Sequence, residues 1–114
     1  MICEIITFPS RAGASREDIV ADARLVAPRW RSEPELVRKH FVLSEDGRTV
    51  KGIYFWKSRA AAEKAHDAEW QRGVKERSGA MPEIVYFDTF MIVDNEAGAT
   101  TEYPPAETAP AAAE

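Results

Sequence analysis

Hydrophobic positions along this chain change spacing from one segment to the next. Residues 2–8 form an apolar run rich in isoleucine, which predicts a first strand. Apolar residues then recur at helical spacing over 19–27. Ser15 followed by Asp18 predicts a capping box at the start of this helix, and Pro28 predicts its end.

Two β-rich runs follow, over residues 35–44 and 49–58. An Asp-Gly pair between two strands is a strong signal for a hairpin. The pattern therefore predicts that these strands are joined by a two-residue turn at Asp46-Gly47.

The alanine-rich segment 58–78 predicts a second helix, with Gly79 just beyond its end. Residues 83–94 are again apolar and predict the last strand. The order is strand, helix, strand, strand, helix, strand. This order predicts an α+β class, with a ferredoxin-like βαββαβ protomer and an antiparallel four-stranded sheet.

Composition changes after residue 94. Residues 95–114 are rich in Pro, Ala and Glu and contain a single aromatic residue, so they predict a flexible tail behind a domain that spans 1–94. The whole chain carries 15 basic and 19 acidic residues, a net charge of −4. The tail contains four of these acids and no base, so the 15 acids and 15 bases of residues 1–94 leave the domain formally neutral. We therefore expect no general attraction to nucleic acid or to an anionic membrane.

Cysteine and histidine are scarce. Cys3 is the only cysteine and the chain has two histidines, so neither a disulfide nor a zinc ligand set is predicted. No apolar run approaches the ~20 residues of a membrane span, and the N-terminus does not resemble a secretion signal. These features predict a cytoplasmic protein without a metal.

Pairing outward from the predicted turn brings aromatic side chains onto one face of the sheet. Since two helices cover only one side of a four-stranded sheet, we expect this aromatic face to lack helix cover. A second copy would then cover it and form a homodimer, with a pocket between the two sheets. The predicted facing pairs are Val37 with Trp56, Lys39 with Tyr54, and Phe41 with Gly52.

Several short segments in residues 35–95 carry a family pattern. They include Val-Arg-Lys-His-Phe at 37–41, Leu-Ser-Glu-Asp-Gly at 43–47, Gly-Ile-Tyr-Phe-Trp at 52–56 and Ser-Arg-Ala-Ala-Ala at 58–62. Glu69-Trp70 and the segment 87–94 complete it. With this pattern the chain resembles the YdhR-like monooxygenases of the dimeric α/β-barrel superfamily.

The resemblance implies a homodimer that oxidises an aromatic or polycyclic small molecule with O2. Related barrels need neither metal nor flavin, because a deprotonated phenol or quinol can itself reduce oxygen. No cofactor is therefore expected. The family pattern falls on Lys39, Gly52, Tyr54 and Trp70.

Lys39 and Tyr54 are the candidate catalytic residues. An ammonium in an apolar pocket favours an anion, so Lys39 could hold a phenolate; the alternative is an ion pair with an acid such as Asp88. Tyr54 could donate a hydrogen bond to the same ligand, or serve only in dimer packing.

Five residues are candidates for substrate binding. Large aromatic side chains could stack on a flat substrate, although they also serve as core anchors. Some haem-degrading members of the superfamily use a histidine of the second helix with a tryptophan of the third strand and an asparagine of the first. Strand one contains no asparagine here, which disfavours haem chemistry. The five candidates are Val37, Phe41, Trp56, His66 and Trp70.

Two other functions share features with this pattern. A non-catalytic small-ligand-binding or stress-associated barrel would use the same dimer and pocket. An RNA-recognition motif has the same element order, and Lys51-Gly52 followed by aromatics faintly resembles its third strand. Strand one lacks the second stacking aromatic, and Arg29-Trp30-Arg31 fits a solvated connection with one anchoring Trp, so nucleic-acid binding is disfavoured.

Overall fold

The computed structural model describes residues 1–106, and residues 107–114 of the predicted tail lie outside this range. The elements are β1 (Ile2–Pro9), α1 (Arg16–Arg31), β2 (Leu36–Leu43), β3 (Thr49–Trp56), α2 (Arg59–Ala65), α3 (Ala68–Ser78), β4 (Glu83–Asp88), β5 (Met91–Asp94) and β6 (Ala99–Glu102). Strands β1 to β4 form one antiparallel sheet in the order β2-β3-β1-β4, with the helices packed against it, so the predicted ferredoxin-like α+β fold is confirmed. Strands β5 and β6 form a separate hairpin.

Helix α1 begins as predicted and ends later. Ser15 and Asp18 form the expected capping box, with hydrogen bonds of 3.1 and 2.9 Å. Pro28 does not end the helix, which continues to Arg31. A proline in the last turn removes only one backbone donor, and the extra turn buries Trp30 in the core. The segment interpreted as a solvated connection is therefore the end of α1.

The predicted second helix is in fact two. Ser58 caps α2, and Gly79 ends α3 with a φ of 90°, both as expected from the sequence. Between them the chain leaves the helix at His66, and the Asp67 side chain caps α3 by accepting a hydrogen bond from the Trp70 amide at 2.9 Å. The break turns His66 toward the sheet, where it is buried.

The end of the chain also differs from the prediction. The last strand was predicted over 83–94, but regular pairing in the main sheet ends at Asp88, where the Thr89 amide donates to the Met1 carbonyl at 2.8 Å. Met91–Asp94 then pairs with Ala99–Glu102. The predicted boundary at residue 94 thus falls at the turn of a hairpin, and Ala99–Glu102 is a strand rather than irregular tail.

The β2–β3 hairpin keeps most of the predicted register. Lys39 pairs with Tyr54 and Phe41 with Gly52, as predicted. A bulge after Leu36 shifts the register, so Leu36 lies opposite Trp56 and Val37 does not. The turn is longer than predicted: the Ser44 amide donates to the Thr49 carbonyl, which leaves a four-residue loop around Asp46-Gly47.

The prediction of which sheet face lacks helices was wrong. Trp30 of α1 packs edge-on against Tyr54 and Trp56, so the helices cover the aromatic face. Both faces of the central strands are apolar, and spacing alone cannot say which one receives the helices. The uncovered side, here called the helix-free face, carries Cys3, Ile5, Ile53, Phe55, Val85 and Phe87.

None of the helices in residues 1–106 is both long and apolar enough to cross a membrane.

Candidate functional site

A cavity of about 780 Å³ lies inside the protomer, between the helices and the aromatic face of the sheet. Trp30 is the buried residue of α1, and other residues of the helix line the cavity. This cavity lies within a single chain, and the pocket predicted between the two sheets of a dimer stays a prediction. Its walls include Trp30, Phe41, Val50, Tyr54, Trp70 and Val74.

Lys39 is the charged residue of the cavity lining that lies among its aromatic rings. Its Nζ lies 3.8 Å from the ring centroid of Phe41 and 4.5 Å from those of Trp30 and Tyr54. Burial lowers the pKa of Lys39 from 10.5 to about 7, and the charge of Arg29 adds to the effect. Near neutral pH the amine is therefore present in both protonation states, which allows it to take up or release a proton.

Tyr54 forms the wall beside Lys39 and is 2% exposed. Burial, and secondly the nearby charge of Glu4, raise the pKa of its hydroxyl far above the ordinary value. The phenol stays protonated and can serve as a hydrogen-bond donor. Gly52 gives the ring its room: a Cβ at position 52 would lie 2.7 Å from Cε1 of Tyr54.

A buried polar network lies behind the aromatic wall. The Trp56 indole Nε1–H donates to Oε1 of Glu4 at 2.8 Å. Nδ1 of His66 lies 3.0 and 3.1 Å from the two oxygens of the same carboxylate. Burial, and secondly the charge of the same Glu4 carboxylate, raise the pKa of Tyr86 to about 12. One carboxylate thus joins β1, β3 and the break between α2 and α3.

His66 is packed among aromatic rings. The centroid of its ring lies 4.3 Å from that of Trp70 and 4.6 Å from that of Tyr54, both edge-on. Its Nε2 is buried and has no hydrogen-bond partner among residues 1–106. Since Glu4 holds Nδ1 and Gln71 holds the His66 carbonyl at 2.9 Å, the ring orientation is fixed from two sides.

The structure separates the sequence-predicted residues into three groups. Lys39, Phe41, Tyr54 and Trp70 line the cavity together. Trp56 and His66 lie behind its wall, at 0% and 2% exposure. Val37 lies outside, at the bulge in β2, and is 49% exposed.

Sequence reasoning missed Glu4, and it also missed Trp30, which it placed in a solvated connection rather than in the cavity wall. A signal was present, because Ile2, Glu4 and Ile6 alternate on one face of β1, and a lone acid in such a row predicts a buried charge with a partner. The partner, His66, lies 62 positions away and cannot be identified from spacing. Within the described range, no group of three or more Asp, Glu, His or Cys residues is placed to hold a metal ion.

The fold and the cavity define a ferredoxin-like α+β protein with a ligand-sized, aromatic-walled pocket. Neither a protein-family model nor a curated protein matches the sequence. Solved structures do match, and ten chains resemble this one.

One similar structure is a monooxygenase of Streptomyces coelicolor in complex with nanaomycin D, 21% identical, covering 75% of this chain and 84% of that one with a TM-score of 0.58. The structure of an antibiotic biosynthesis monooxygenase is 15% identical, and the match covers 78% of this chain and 98% of that one with a TM-score of 0.60. The structure of a protein of Mycobacterium tuberculosis is 18% identical, and the match covers 75% of this chain and 91% of that one with a TM-score of 0.59. At these identities the likeness establishes the shared fold, and membership of the YdhR-like family stays a prediction.

Proposed function

We propose that this protein is a cofactor-independent monooxygenase that oxidises an aromatic or polycyclic molecule with O2 in the cavity beneath α1. The observation that carries the proposal is the position of Lys39, an amine with a pKa of about 7 against three aromatic rings of the cavity wall. The monooxygenases with the same fold support this reading.

The chemistry requires a proton acceptor and a dry pocket. The neutral amine of Lys39 takes the proton of a bound phenol, and the resulting phenolate is electron-rich enough to reduce O2. One oxygen atom enters the ring as a second carbonyl and the other leaves as water, while the substrate supplies all four electrons. Lys39 is then an ammonium and lies beside the phenolate anion, to which the Tyr54 hydroxyl donates a hydrogen bond.

The aromatic walls position the substrate. Trp30, Phe41 and Trp70 offer flat apolar surfaces, and the cavity volume lies within the range of roughly 300–1,000 Å³ found for small-molecule sites. A planar ring system gains contact area between such walls while its hydroxyl reaches Lys39. Trp56 and His66 act from behind the wall, as supports of Tyr54 and Trp70.

A homodimer completes the proposal, now built on the helix-free face rather than the aromatic face. Val85 and Phe87 are 39% and 52% exposed there, and Ile5, Ile53 and Phe55 are half-buried beside them. A contiguous apolar sheet face is unfavourable in water and marks an interaction surface. A second copy, related by a two-fold axis, would cover it sheet against sheet.

The test of the activity is oxygen uptake with a panel of hydroxylated polycyclic aromatics. Lys39→Met keeps the length of the side chain and removes the amine, and we expect turnover to fall by about two orders of magnitude, as for loss of a general base. Lys57→Met is the matched control, because Lys57 follows the end of β3, is exposed and does not line the cavity. Unchanged turnover in Lys39→Met would refute this role of the amine. Binding without uptake of oxygen by the wild type would instead favour the non-catalytic ligand-binding barrel.

A further inference from the structure

The charges around the cavity are strongly one-sided. Among the described residues, the acid on its lining is Asp22, and the Arg11 guanidinium binds both Asp22 oxygens at 3.0 and 3.3 Å. The lining cations without such a partner are Arg16, Arg29, Lys39, Lys51 and Arg77, and of these the Lys51 amine donates to the Thr7 hydroxyl at 2.9 Å. Because residues 1–94 are formally neutral as a whole, this excess is a local property of the cavity.

Two of these cations share one aromatic ring. The Arg29 Cζ lies 4.4 Å from the ring centroid of Trp30, and the Lys39 Nζ lies 4.5 Å from the same centroid. Arg29 is fixed in place because its Nη2 donates to the Ala65 carbonyl at 3.0 Å. The charge of Arg29 opposes protonation of Lys39, and an anion bound beside the two would offset this effect.

The position of Arg29 is informative as well. Arg29, Trp70 and Arg77 line both the main cavity and a smaller neighbouring pocket of about 370 Å³, whose other charged lining residues are Lys64, Asp67 and Glu69. The two arginines therefore stand at the junction of the two pockets. A planar guanidinium binds a carboxylate through two parallel hydrogen bonds, which suits an anionic group at the edge of a flat ligand.

We propose that the substrate is an aromatic carboxylic acid, whose ring system packs against the wall formed by Trp30, Tyr54 and Trp70 and whose carboxylate is bound by Arg29 with Arg77. This assignment rests on the proposed function and adds the charge of the substrate. Lys39 remains directed at the phenolic group, so the two ends of the ligand are recognised by different cations.

The test compares two probes that differ only in charge. They are a hydroxynaphthoic acid with its two groups on opposite rings, and the methyl ester of the same acid. Binding is measured by calorimetry and by quenching of tryptophan fluorescence, neither of which depends on turnover. We expect the acid to bind about tenfold more tightly than the ester, and the difference to shrink as salt is added.

Variants locate the effect. Arg29→Gln and Arg77→Gln should each remove most of the preference for the acid while leaving binding of the ester unchanged, and Arg29→Lys should restore part of it. Arg72→Gln on the exposed side of α3 is the matched control and should keep the preference. Circular dichroism verifies folding, and two independent arginines keep the test decisive if one variant fails to fold.

The outcomes separate this inference from the proposed function. Equal binding of acid and ester, or a preference that survives in both arginine variants, would overturn the carboxylate assignment. Oxygen uptake with the ester but not the acid would overturn it too, and would leave the monooxygenase proposal standing. Preferential binding of the acid without any oxygen uptake would support the assignment and refute the monooxygenase.

Discussion

The Glu4 carboxylate and the His66 imidazole form a fully buried pair: Nδ1 lies 3.0 Å from one carboxylate oxygen and 3.1 Å from the other. A carboxylate placed in this way accepts a hydrogen bond from Nδ1–H and so selects the tautomer of the imidazole. The pair joins the first strand to the break between α2 and α3. It therefore holds the part of the chain that carries Trp70, a wall of the cavity.

Removing the carboxylate should destabilise the protein strongly. Glu4→Ala leaves Trp56 Nε1 and His66 Nδ1 buried without their acceptor, and we expect a loss of about 3 kcal/mol or more in the free energy of unfolding. Urea denaturation followed by circular dichroism measures it. Glu83→Ala, at an exposed site on β4, is the control and should change stability by less than about 0.5 kcal/mol. A comparably small loss in Glu4→Ala would show that the network does not stabilise the fold.

Gly52 should tolerate no side chain. In Gly52→Ala the new Cβ would meet the Tyr54 ring at 2.7 Å, so the ring must shift toward the cavity, at a cost of about 1–3 kcal/mol. Gly73→Ala in α3 is the contrasting variant: its Cβ meets only the movable end of Arg77 at 3.1 Å. There the gain in helix propensity should stabilise the protein by up to about 1 kcal/mol. Thermal unfolding of the two variants should shift in opposite directions, and equal shifts would contradict the packing described for Tyr54.

The lowered pKa of Lys39 predicts a pH dependence of stability. Between pH 7 and 9.5 the unfolded chain keeps the Lys39 proton, with an ordinary pKa of 10.5, while the folded state has released it. Unfolding then takes up a proton, so stability rises with pH by at most about 1.4 kcal/mol per pH unit from this group.

Lys39→Met should remove this contribution. The comparison is the difference in unfolding free energy between wild type and variant at several pH values, with Lys51→Met treated in the same way. We expect the free energy of unfolding of the wild type to increase relative to that of Lys39→Met as the pH rises. The difference between the wild type and Lys51→Met should stay constant. Parallel curves for wild type and Lys39→Met would mean that the amine titrates normally.

The helix-free face should control assembly. Phe87→Glu places a charge within the proposed dimer contact, and we expect sedimentation at micromolar concentration to change from a dimer to a folded monomer of 12.7 kDa. Leu25→Glu on α1, where the side chain is 81% exposed, should leave the wild-type state unchanged. A wild type that already sediments as a folded monomer would rule out the dimer.

Local patterns predicted the elements well where the cause of the structure is local. The capping box at Ser15, the αL residue Gly79 and the pairing of Lys39 with Tyr54 depend on neighbours in sequence or on the register of one hairpin. Predictions failed where distant residues compete. Pro28 lies inside a helix because Trp30 is buried beyond it, and the second helix breaks at His66, whose imidazole pairs with Glu4.

The sequence by itself determined the order of the four strands of the main sheet and of the helical segments between them, and it placed Lys39, Phe41 and Tyr54 on one face, because alternation along paired strands is a local geometric rule. Only the tertiary structure decided that the helices cover this face and that the cavity lies within one chain. Both sides of the central strands are apolar, so the choice depends on long-range contacts such as those of Glu4 with Trp56 and His66. Such contacts join residues more than 50 positions apart, where sequence spacing carries no information about distance.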